Sequence, residues 1–129
     1  MFKATVSAPV HPTELVESVN RAITNIFPDA QLEFKDVTNR QCLLIGTTSM
    51  DKLRELFMKQ NILDSVRAEL FNGRSGNRIE FRLNKQVAFV GKANFGESSL
   101  GDIHVSIECE HTEELIYWLA PRIEQGAKQ

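Results

Sequence analysis

Along the first strand-length of the chain, apolar side chains fall at Phe2, Ala4, Val6, Ala8 and Val10, while Lys3, Thr5 and Ser7 fall between them. Side chains of a strand point alternately to its two faces. A strict period of two therefore demands a strand with one face against a core and the other toward water. The pattern returns at Ile79, Phe81 and Leu83, between Arg78, Glu80 and Arg82. It returns again at Ile103, Val105, Ile107 and Cys109, between His104, Ser106 and Glu108. Strands of this kind build a sheet with one face covered and one wet, and something else in the chain must supply the cover.

Helical stripes supply it. Leu15, Val19, Ala22, Ile23 and Ile26 recur at helical spacing after Pro12. Thr13 is placed to cap that helix, Glu14 and Glu17 suit its first turn, and Pro28 ends it. Ser49 is placed to cap a second helix with Leu53, Leu56 and Phe57, and Ile62, Val66 and Leu70 stack in a third. Whether these two are one bent rod is open at this stage. Gly73 is expected to close the third as a left-handed cap. Thr112 is placed to cap a last helix with Leu115, Ile116 and Leu119 inward, ending before Pro121. Leu32 and Phe34, then Cys42 to Ile45, read as two strands joined by a hairpin loop at Thr38-Asn39-Arg40. Val87 to Val90 reads as another, after a turn at Asn84-Lys85-Gln86.

The predicted order is β-α-β-β-α-α-β-β-β-α. The fold class is α+β: a two-layer sandwich, its sheet mixed but largely antiparallel, with helices packed on one face. With 129 residues the chain supplies one ordinary core, so a single domain is expected over residues 1–129, with 124–129 as a frayed tail. Val87 to Val90 is apolar on both sides. Ala88 and Val90 should then lie bare on the open face, where a second copy, a protein partner or the glycine-rich loop from Gly91 to Gly101 would cover them.

The longest apolar runs are only a few residues, too short for a membrane span, and the N-terminus has no charged lead before a long apolar stretch. Two cysteines make no disulfide framework. A soluble, cytoplasmic protein is expected. Cys42 and Cys109 fall on inward strand positions, as structural thiols do. His11, His104 and His111 have no metal-ligand spacing with them, and alternation puts His104 on the wet side. Glu108, Glu110, Glu113 and Glu114, with Asp102 nearby, read as a solvated face and a helix N-terminus rather than as an acid–base pair. The glycines are too scattered for a phosphate loop or a dinucleotide fingerprint. No catalytic residue, metal or cofactor is assigned, and an enzyme is not expected.

Charge gives the strongest hint of function. The net charge is −2, yet between Arg67 and Lys92 stand six basic residues against Glu69 and Glu80 alone. Arg78 and Arg82 share the wet face of one strand, about 13 Å apart at strand rise. Arg74, Lys85 and Lys92 lie at the ends of the same region. A row of cations is what phosphate neutralisation needs. The expected RNA contacts are therefore Arg74, Arg78, Arg82, Lys85 and Lys92, with Asn94 adding a polar contact from the glycine-rich loop. Few aromatic residues point outward, so recognition of structured RNA by backbone and shape fits better than base stacking. Two motif matches are weaker. Gly73-Arg74-Ser75-Gly76 has the letters of a GxxG clamp, but a helix cap plus a turn glycine explains it. Lys85 to Lys92 agrees with the RNA-recognition strand motif only at Lys85, Ala88, Phe89 and Val90, and lacks two of its stacking aromatics. The competing expectation is a non-enzymatic assembly module, forming a homodimer or docking a partner through the open sheet face.

Three strings, Asn84-Lys85-Gln86-Val87-Ala88-Phe89-Val90-Gly91-Lys92, Leu100-Gly101-Asp102-Ile103 and Trp118-Leu119-Ala120-Pro121, resemble an uncharacterised archaeal protein family predicted to bind RNA. His11-Pro12-Thr13-Glu14, Ile26-Phe27-Pro28-Asp29 and Ile62-Leu63-Asp64 fit its pattern too, so the resemblance covers almost the whole chain. Val87 and Ile123 depart from it, where alanine and threonine are usual. That family is similar in fold to the large-subunit ribosomal protein that grips 5S RNA, and distantly to a group proposed to associate with the archaeal exosome. Both likenesses imply RNA as a partner. The family has no assigned ligand residues, so the expected contacts rest on charge and alternation alone.

Overall fold

The computed structural model describes residues 2–37, 41–60, 62–96 and 101–122, with only the backbone described for residues 36, 37 and 41–43. The hairpin loop at Thr38-Asn39-Arg40, the side chain of Cys42 and the tail expected at 124–129 lie outside the described residues.

Among the described residues, six strands and five helices follow one another as β1 (Phe2–Val10), α1 (Val16–Ile26), β2 (Gln31–Val37), β3 (Gln41–Thr48), α2 (Asp51–Lys59), α3 (Leu63–Asn72), β4 (Arg74–Ser75), β5 (Arg78–Asn84), α4 (Lys85–Ala88), β6 (Asp102–Cys109) and α5 (Thr112–Leu119). The strands form one sheet in the order β2-β3-β1-β6-β5-β4, and every described pair is antiparallel. This is the expected α+β sandwich, with no parallel pair among the described strands.

Register explains the two layers. Ala4, Val6 and Ala8 of β1 stand opposite Ile107 and Val105 of β6 on one side and Gly46 and Leu44 of β3 on the other. Ile79, Phe81 and Leu83 continue the row on β5. These side chains are buried against Val19, Ala22, Ile23 and Ile26 of α1, Leu53 and Phe57 of α2, Val66 and Leu70 of α3, and Ile116 and Leu119 of α5. Removing each valine, leucine, isoleucine or phenylalanine among them from water contributes about 1.5–3 kcal/mol.

Several local expectations give way to tertiary structure. Residues 87–90 are not a strand. The side-chain oxygen of Asn84 accepts a hydrogen bond from the Val87 amide (3.0 Å) and starts the single turn α4. Ala88 is thereby buried and Val90 lies beyond the turn, so neither stands on the open sheet face. The two residues therefore do not form the apolar patch expected on the open sheet face; Val90 is 71% exposed, but at the end of the turn.

Helix α1 begins at Val16, and Thr13 does not cap it. Thr13 instead binds His11 within a turn closed by the Glu14 amide on the His11 carbonyl, and this leaves Leu15 exposed. Met50 and His111, not Ser49 and Thr112, occupy the cap positions of α2 and α5. Ser49 serves Asp29: its hydrogen bond, followed by those from Thr48 and the backbone, holds that carboxyl below its ordinary value against the opposing effect of burial. Helices α2 and α3 are separate elements.

Gly73 has an ordinary negative φ of −89°. Its lack of a side chain matters because a Cβ there would sit 1.9 Å from the Glu80 carbonyl oxygen. Gly73 is still the C-cap residue of α3, its amide donating to the Glu69 carbonyl. Gly76, at φ +60°, makes the turn between β4 and β5, so the cap-plus-turn expectation for Gly73–Gly76 holds in all but the left-handed cap geometry.

Candidate nucleic-acid interface

The open face carries the polar members of each alternating strand. Register places Lys3, Glu108 and Arg78 in one cross-strand row, Thr5, Ser106 and Glu80 in the next, and Ser7, His104 and Arg82 in a third. Residues directly opposite on one face of a pair lie about 5 Å apart, close enough for opposite charges to meet. They do. Arg78 reaches Glu80 at 3.6 Å and Glu108 at 3.7 Å. Arg82 lies 4.0 Å from Asp102, and His104 lies 3.1 Å from Glu80. Beyond β1 the same face adds Glu33 and Lys35 of β2. Among the described residues its cations are Lys3, Lys35, Arg78 and Arg82, and its carboxylates are Glu33, Glu80, Asp102 and Glu108. The face is charge-balanced, not positive.

The six expected contacts therefore separate. Lys85 has no exposed surface. Its ammonium group donates to the Pro9 carbonyl (2.7 Å) and to Glu14 (3.0 Å), so it ties α4 to the end of β1 and cannot reach a phosphate. The expectation for Lys85 fails because Asn84 starts a helix where a strand turn was predicted, and the turn sends the lysine inward. Arg74 stands opposite the buried Ile79, hence on the helix side of the sheet, with its guanidinium 6.0 Å from the Phe71 ring. Arg78 is on the open face but held by two carboxylates.

Arg82, Lys92 and Asn94 remain exposed, and chain geometry brings the segment after α4 alongside Arg82. The Asn84 amide donates to the Asn94 carbonyl (2.7 Å), and Phe95 bridges to Leu83. Segment 93–95 thus runs along the outer edge of β5. A shallow groove of about 390 Å³ lies there, lined by Glu69, Glu80, Phe81, Arg82, Phe95 and Gly96. Beneath it Phe95 packs on Phe57 and Phe81.

Two positioning residues were invisible from spacing. The Gln60 side-chain amide donates to the Ala93 carbonyl (2.8 Å), and its oxygen accepts from the Ala93 amide (2.9 Å), so one side chain stands in for a strand partner. Asn25 donates to the Ala88 and Phe89 carbonyls at 3.0 and 3.1 Å. Both contacts join residues more than thirty positions apart, and no local signal announces them. Among the described residues no cluster of three histidine, cysteine or acidic side chains could hold a metal ion, and no helix is long and apolar enough to cross a membrane.

A protein-family model described as RNA binding matches residues 3–110. The UPF0201 protein of Pyrococcus horikoshii is 40% identical over 126 residues, covering 94% of this chain and 91% of its own length. The UPF0201 protein of Sulfolobus acidocaldarius is 35% identical over 133 residues, covering 98% and 92%. The crystal structure of the UPF0201 protein from Methanococcus jannaschii superposes with a TM-score of 0.89 at 39% identity, over 97% of each chain. Likeness of this extent in both sequence and fold, across several archaea, leaves one assignment: the chain belongs to the UPF0201 proteins and to the family whose model is described as RNA binding.

Proposed function

We propose that the protein binds structured RNA through phosphate contacts along the outer edge of β5, with Arg82, Lys92 and Asn94 at the centre and Arg74 at the far end. The observation that carries the proposal is the match of residues 3–110 to a model described as RNA binding. The similarity in fold to the 5S-RNA-gripping ribosomal protein, implied by the sequence resemblance, points the same way. Exposure and chain course argue for the edge over the face. Along the open face Glu33, Glu80, Asp102 and Glu108 alternate with the cations, whereas at the edge Glu69 and Glu80 line the groove but the exposed Lys92 and Asn94 lie on the segment next to it. At the edge, Arg82 keeps 62% of its side chain exposed and lies at the limit of reach of its carboxylate.

A small cation set has a measurable signature. For two or three neutralised phosphates, the logarithm of the binding constant should fall with the logarithm of salt at a slope of roughly −2 to −3. Arg82→Ala should lower the steepness by about one, as loss of a single phosphate contact does. Arg78→Ala, which removes a guanidinium already occupied by two carboxylates, should leave the slope nearly unchanged. Filter binding with a folded RNA over a salt series measures all three. No uptake at low salt, or uptake indifferent to salt, overturns the proposal.

A further inference from the structure

The two edges of the sheet differ. On one side β4 is two residues long, and beyond it the β5 edge is occupied. The Glu80 amide donates to the Gly73 carbonyl, and the Asn84 amide donates to the Asn94 carbonyl. On the other side stands β2, seven residues long and paired with β3 without a bulge from Gln31 to Val37. Among the described residues nothing pairs with its outer edge. A long, straight edge presents a row of backbone donors and acceptors ready for another strand, and proteins ordinarily blunt such an edge with proline, a bulge, a short strand or charges that repel a second copy. β2 has no proline, no bulge and seven residues, and the charges beside Phe34, Glu33 and Lys35, are of opposite sign, so they attract a second copy in the right register.

Its side chains have the pattern of a strand that pairs with itself. Phe34 points to the helix side, in register with Leu44 and Ala8, yet remains 49% exposed. Glu33 and Lys35 flank it on the open face, and both are exposed. We propose that two copies of this chain pair through β2, antiparallel and two-fold symmetric about Phe34, making one twelve-stranded sheet. That register sets Phe34 against Phe34 of the second copy. It also sets each Glu33 opposite a Lys35, twice by symmetry. Sliding by two residues in one direction puts Glu33 opposite Glu33, and in the other Lys35 opposite Lys35. The charges therefore select one register, and like charges penalise its neighbours. An aromatic pair across the axis covers apolar surface that α1 leaves bare. The pairing stands independently of the RNA proposal.

Sedimentation of the intact protein tests it by charge exchange. The wild type should be a reversible dimer. Glu33→Lys and Lys35→Glu each replace two attractive cross-strand pairs by two repulsive ones, and should each weaken the dimer by about ten- to a hundred-fold. An equimolar mixture of the two variants should dimerise again. One chain then carries lysine at both positions and the other glutamate at both, so each cross-strand pair is attractive once more. Both positions are exposed, and circular dichroism checks that each variant stays folded. A wild-type monomer at about 100 μM, where even a weak association shows, overturns the proposal. So does a dimer indifferent to either reversal, or a mixture that stays monomeric.

Discussion

A buried ammonium group is tolerated only where a carboxylate and further acceptors replace the water it has lost. Glu14 and the Pro9 carbonyl do this for Lys85. Replacing the lysine by methionine should leave the Glu14 carboxylate without its counter-ion in a nearly closed site, held by the His11 amide (2.8 Å). We expect Lys85→Met to lower the unfolding free energy by about 3 kcal/mol in urea denaturation. Adding Glu14→Gln should recover much of that loss, because the stranded charge is then gone; a double variant no better than the single would place the loss elsewhere. None of this was legible in the sequence. Glu14 lies 71 positions before Lys85, and a lysine amid arginines reads as one more surface cation. Gly73 is a milder case. Its identity marked a constrained backbone correctly, but the constraint is the approach of Glu80, a long-range contact, rather than a left-handed turn.

Elements fared better where their pattern was strict. The alternation in Phe2–Val10, Arg78–Asn84 and Asp102–Cys109 gave three strands in the right place, because burial of one face leaves no other register open. Residues 87–90 failed because two valines and a phenylalanine favour a strand, while the opposing signal was a single asparagine cap. The end of α5 shows a device that patterning cannot report. The last carbonyls of a helix lack partners within it. Here Arg67 donates to the Ala120 and Pro121 carbonyls, both at 2.9 Å, and Arg54 donates to the Trp118 carbonyl at 2.6 Å. Arg67 also pairs with Asp64 in its own helix, and its side chain is only 13% exposed. Arg67→Ala should destabilise the protein by about 2 kcal/mol, in the range for hydrogen bonds to a charged donor. Amide hydrogen exchange should quicken in α5 ahead of β1 and β6; uniform acceleration would mean that the arginine supports the whole core instead.

At the scale of the molecule, the described helices and every strand but the short β4 pack on one apolar core. A single cooperative unit is therefore expected, and the lone tryptophan reports on it. Trp118 lies against Phe2 at 6.2 Å and under Arg54 at 5.4 Å, joining α5, β1 and α2. Its fluorescence and the far-ultraviolet circular dichroism should give coincident urea midpoints, whereas an earlier fluorescence change would make α5 a separate unit. The overall layering was legible because alternation and helical stripes are local. The interface was only partly so. Its cations were visible, and so was Glu80 two positions from Arg78, but Glu108, which also pairs with Arg78, and Asp102, which faces Arg82, arrive from β6, thirty and twenty positions later. The brevity of β4 has one more consequence. A strand with two usable edges can add copies without end and grow into a ribbon. Among the described residues this sheet ends at Arg74–Ser75 on one side, so the proposed pairing through β2 would close at two chains rather than propagate into fibres.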